Sequence, residues 1–154
     1  MKTWSNRTVL WLFLCIIFIY LVDLFTIKPS VISGNGNVGL LFLIPALIVF
    51  FLFARSYWRI LGSIQLKSST WVLIRLGGVT LLLLFCFLEY HFTINLINNL
   101  GGAPGNETSR IYRYPWLNQY TNTVFINFYT LGLMVTGVTS IKSFSSKQKN
   151  NRSS

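Results

Sequence analysis

Acidic residues are almost missing from this chain. Of 154 residues three are acids, Asp23, Glu89 and Glu107, and charged residues of both signs make up 10%. Soluble globular domains carry about 25% charged residues. Such scarcity beside 53% apolar content argues against a soluble domain, and it excludes general disorder, which requires low hydrophobicity. Histidine is equally scarce, with His91 alone, and the two cysteines, Cys15 and Cys86, lie far apart in sequence. That removes HxxxH and CxxC metal-ligand spacings and CxxC thiol chemistry. A P-loop, GxSxG, HExxH and a Gly-rich dinucleotide turn are all lacking. The expectation is a protein that is not an enzyme and holds no cofactor.

What the chain does have is long apolar runs. Four of them, residues 9–25, 38–54, 71–88 and 124–141, are each long enough to approach a hydrocarbon core of ~30 Å at ~1.5 Å per helical residue. A spanning segment must satisfy its own backbone, and runs such as Leu40-Leu41-Phe42-Leu43-Ile44 do not alternate as barrel strands do. The predicted fold is therefore all-α: a polytopic integral membrane protein built as a four-helix transmembrane bundle. It forms a single domain over residues 1–141. The first run is read as a retained helix, not a cleaved signal segment, because no small-x-small site follows it closely. Residues 142–154, rich in Ser, Lys, Asn and Gln, are expected to form a disordered basic cytoplasmic tail.

Basic residues sort by side. With four spans, the N-terminus, the middle connection and the tail share one face carrying ten of the thirteen Lys and Arg residues, Arg75 included. The opposite face has Lys28, Arg110 and Arg113, together with all three acids. Basic flanks stay in the cytoplasm, so both termini are predicted cytoplasmic and the protein is assigned to the cell membrane. Trp4, Trp11, Trp58 and Trp71 then suit the inner interface, and Tyr112, Tyr114, Trp116 and Tyr120 the outer one.

Several side chains stand out against this background. Asp23, Glu89 and His91 fall near the outer boundary, where two carboxylates and an imidazole form a candidate proton or cation site. The bland alternative is interfacial side chains, solvated or paired with nearby bases. Arg75, Gly78, Leu82, Cys86 and Glu89 follow one stripe of the third span, expected to face the other helices, with Arg75 reaching for the cytoplasmic headgroups. In the fourth span, Asn127, Thr130, Met134 and Gly137 form one face and Gly132, Thr136 and Thr139 the other. Gly78, Gly132 and Thr136 are expected to allow close helix packing, with hydroxyls bonding across helices. Arg55 to Ile64 reads either as a plain connector or as an amphipathic segment on the leaflet surface. In the second case Arg55, Arg59 and Lys67 contact lipid headgroups. Asn106-Glu107-Thr108 forms a glycosylation sequon in the long outer loop.

The expected partners are the lipid bilayer and another membrane protein or a second copy. Nucleic acid is not expected, because the bases are scattered over short segments. The leading functional expectation is a non-catalytic accessory, assembly or immunity-type factor acting through contacts with another membrane component. The alternatives are an oligomerising small transporter or channel subunit using Asp23 and Glu89, and a lipid-active membrane enzyme.

Overall fold

The computed structural model describes residues 6–32, 34 and 36–151, with side chains up to residue 145. The expectations resting on Lys2, Trp4 and residues 152–154 lie outside the described residues, as do the side chains of Lys147 and Lys149. The described residues form α1 (Asn6–Phe25), α2 (Leu40–Ser63), α3 (Ser68–Asn99), a single turn α4 (Asn122–Phe125) and α5 (Phe128–Asn151), without strands. Four helical segments are long and apolar enough to cross a membrane: Asn6–Phe25, Leu40–Ser63, Ser68–Asn99 and Asn122–Ser145. The all-helical, four-span architecture follows from the run lengths.

The helices pack in an order different from the chain order. α1 lies on α2, α2 on α5, and α5 on α3, with α1 also touching α5. The main core joins Cys15, Ile19 and Val22 of α1 to Leu43, Ala46, Val49, Phe50 and Phe53 of α2, closed by Ile126 and Leu131. Among its described residues α3 buries just Trp71 and Gly78. It is an outlying helix held along one side.

Element ends depart from the apolar runs in four places. α2 continues through Arg55 to Ser63, leaving residues 64–67 as the connection, so Arg55–Ser63 is neither loop nor surface-lying helix. Extending an existing helix is cheap compared with nucleating a new one, and no breaker stands between Ala54 and Arg59. α3 overshoots its apolar run to reach Asn99, and at ~1.5 Å per residue its 32 residues extend ~48 Å.

The fourth span is broken at Ile126–Asn127, where a continuous helix is predicted. Asn127 Oδ1 accepts from the Thr130 N–H at 2.8 Å while the Asn127 N–H donates to Thr130 Oγ1 at 2.9 Å. Asn127 thus starts α5 as an N-cap, a role that competes with continuous helix. Finally, α5 carries on past Ile141, so the expected disorder from Lys142 is corrected for the residues up to Asn151. The physical reason is packing: Ser143 is fully buried, and its carbonyl accepts from Arg75 Nη2 at 3.0 Å.

Residues 100–121 fold as a cap over one end. Gly101 and Gly102 take φ of +86° and +122°, turning the chain out of α3 in conformations that L side chains rarely adopt. Leu100, Ile111 and Tyr120 then form a small second core with Ile27 and Leu96. The Ile27 N–H donates to the Gln119 carbonyl at 2.9 Å, and Tyr120 Oη to the Val31 carbonyl at 3.3 Å, tying the α1–α2 connection to the cap. Tyr120 is therefore buried in the cap and is not an interfacial anchor, and Trp71 is buried as well. Asn106 Oδ1 accepts from the Thr108 N–H at 3.1 Å, so the sequon asparagine also shapes this loop.

Candidate functional site

Asp23, Glu89 and His91, expected to form one proton or cation site, do not join in one cluster. Asp23, at the last turn of α1, pairs with Lys28 Nζ at 2.8 Å, and both side chains are more than half exposed, at 58% and 59%. Glu89 turns toward α5: its Oε2 accepts from Asn127 Nδ2 at 2.7 Å and its Oε1 from Thr93 Oγ1 at 3.3 Å. His91 lies on another face of α3, exposed, tilted against Phe87 and bonded to Asn95 at 3.3 Å. Two positions along a helix turn a side chain through ~200°, so Glu89 and His91 cannot face the same neighbour. Among the described residues no group of three or more His, Cys, Asp and Glu side chains is placed to hold a metal ion.

Asn127 is fully occupied. Besides Glu89, its Nδ2 donates to the Thr123 carbonyl at 2.8 Å, while its Oδ1 caps α5. One amide thereby joins α3, α4 and α5. Beside it a groove of about 690 Å³ opens between α1 and the α4–α5 junction, lined by Ile16, Tyr20, Asp23, Asn127 and Tyr129 among others, with Phe92 from α3. Its walls are mostly apolar.

The small residues mark the α3–α5 seam. A Cβ on Gly78 would lie 2.9 Å from Ser140 Oγ, and one on Gly132 would lie 2.5 Å from the Phe85 ring. Phe85 therefore faces α5, whereas Cys86 is exposed; the stripe directed at α5 passes through Phe85 instead of the expected Cys86. Thr136 Oγ1 bonds the Gly132 carbonyl of its own helix at 2.7 Å, not a neighbouring helix. The hydroxyl that does cross is Thr139, 2.9 Å from Tyr57 Oη of α2.

On another face of α3, Gly77 has nothing within 4 Å of where its Cβ would stand. Leu73, Gly77, Thr80, Leu84 and Phe87 recur at helical spacing on this exposed side. Gly77 and Gly78 are consecutive, about 100° apart around the helix. Gly78 meets α5 while Gly77 is left uncovered.

The basic residues at the other end also divide. Arg75 does not reach outward: its guanidinium sits 4.5 Å from the Phe144 ring centroid and bonds the Ser143 carbonyl. Lys142 Nζ lies 4.6 Å from the Trp58 ring centroid. Arg55 and Arg59 are exposed along α2, and Lys67 is exposed at the start of α3. Neither protein-family models, curated proteins nor solved structures give a match to this chain.

Proposed function

We propose that this is a multi-pass protein of the cell membrane that works through contact with another membrane protein, as an accessory, assembly or immunity-type factor. Both termini are cytoplasmic in this reading. The observation that carries it is the open side of α3, where Gly77 stands uncovered within the stripe Leu73, Thr80, Leu84 and Phe87.

Lipid tails are as apolar as leucine, so exposed leucines on a span call for no partner by themselves. A small residue within a spaced apolar stripe is different, because it lets a second backbone come close and gain dispersion contacts that flexible tails make less well. The neighbouring Gly78 already serves that purpose toward α5. The occupant proposed for the Gly77 side is a transmembrane helix of a partner protein.

Orientation is supported by the charges. Arg7, Arg55, Arg59, Lys67, Arg75 and Lys142 gather at the end formed by the starts of α1 and α3 and the far parts of α2 and α5, while the three acids belong to the other end. The excess of bases marks the cytoplasmic side.

The test is a photo-crosslinking residue at Leu84 in native membranes. A discrete adduct with one other membrane protein is expected. Adducts with lipid alone would overturn the reading, and a homodimer adduct would replace the foreign partner with a second copy.

A further inference from the structure

A second feature lies at the basic end of the bundle, between α1 and α2, and owes nothing to α3. Between the first turns of α1 and the last turns of α2 a cleft of about 670 Å³ opens, with Arg7, Arg55 and Arg59 on its polar side. Thr8 Oγ1 and Ser56 Oγ hydrogen-bond across its base, and Thr8 is fully buried. Leu10 and Leu52 continue the lining toward the middle of the helices.

The three arginines come from separated parts of the sequence and meet because α2 stays helical beyond Ala54. Spaced four apart on that helix, Arg55 and Arg59 stand one above the other, facing the start of α1. Among the described residues no acidic side chain lines the cleft. The chain's three acids are Asp23 at the far end of α1, Glu89 in the far part of α3, and Glu107 in the cap. Three arginines line one cleft with no acidic side chain beside them, which gives it a positive potential that favours an anionic ligand. Counting from Leu40 at ~1.5 Å per residue, Arg59 lies ~28 Å along α2, at the edge of a ~30 Å hydrocarbon layer, and Arg55 lies about one turn deeper.

We propose that this cleft binds the headgroup of an anionic phospholipid. The phosphodiester sits among Arg7, Arg55 and Arg59, where guanidinium forks match phosphate oxygens in paired hydrogen bonds, and the three cations disfavour a zwitterionic headgroup whose quaternary ammonium they repel. The first methylenes of an acyl chain run down along Leu10 and Leu52. That apolar continuation selects a lipid over free phosphate. The site differs from a diffuse basic surface, which would include Lys67 equally; Lys67 lies outside the cleft.

Native mass spectrometry of the full chain in neutral detergent tests this, with phosphatidylglycerol and phosphatidylcholine offered at equal mole fraction. Retained phosphatidylglycerol is expected to exceed phosphatidylcholine by about tenfold. Arg55→Gln and Arg59→Gln should each reduce that preference severalfold, and Lys67→Gln should leave it unchanged. Arg59→Lys preserves the charge and membrane insertion, and should retain an intermediate preference because it lacks the paired geometry. Equal retention of the two lipids would overturn the proposal. So would an equal loss in all three glutamine variants, or displacement of the lipid by millimolar inorganic phosphate.

Discussion

Asn127 Nδ2 donates to Glu89 Oε2 at 2.7 Å, and this bond fastens the outlying α3 to the point where the last span breaks. An acid in a spanning helix invites a functional reading. Here its two oxygens are taken by Asn127 and Thr93, and its partner amide is the cap of α5. The expected consequence is structural. Glu89→Ala should lower stability by about 1 kcal/mol, in the range measured for hydrogen bonds between membrane helices. Glu89→Gln, which keeps an acceptor for Asn127, should cost roughly half as much. Equilibrium unfolding in mixed micelles measures both.

The same reading bears on ion coupling. If Asp23 and Glu89 carried protons or cations, the double variant Asp23→Asn, Glu89→Gln would abolish flux. Because Asp23 is paired with Lys28 and Glu89 with Asn127, the variant is expected to have the same ion flux as the parent protein in proteoliposomes. It should also retain partner contact through α3.

The α3–α5 seam depends on glycine at close quarters. Gly132→Ala would set a Cβ against the Phe85 ring, so the ring or the helix must shift. A loss of about 1–3 kcal/mol is expected, as for other overpacked sites. Phe85→Leu in the same chain should recover part of it, and a double-mutant cycle reads the coupling. Gly77→Ala, on the open side, should leave monomer stability unchanged or slightly raised, since alanine favours helix by up to ~1 kcal/mol.

Orientation has an independent check. Reporter fusions at Ser154 and Gly105 should score cytoplasmic and external respectively. Moving positive charge from the Arg55–Lys67 region to the long loop should weaken that assignment, because orientation follows the Lys and Arg balance.

Apolar run length was enough to read the four helices, since a backbone in hydrocarbon has few other choices. Their ends were less legible. Arg55 to Ser63 looked like a connection because hydropathy falls there, yet helix persists where nothing breaks it. The break at Asn127 left a trace in the Asn127–Thr130 spacing, a capping pattern hidden inside an apolar run. Asp23, Glu89 and His91 were visible as rare residues, but their partners depend on helix rotation, which composition does not encode. The arginine cleft was hidden for a similar reason. Arg7 meets Arg55 and Arg59 only through the antiparallel pairing of α1 with α2.

The most direct measurement of the proposed contact compares photo-crosslinking from two exposed leucines in native membranes. Leu84 lies on the Gly77 side of α3, and Leu41, 71% exposed, lies on α2 away from it. The account predicts a discrete protein adduct from Leu84, lipid adducts from Leu41, and loss of the protein adduct in Gly77→Leu without loss of monomer. Matching lipid adducts at both positions, or a protein adduct unaffected by Gly77→Leu, would contradict it.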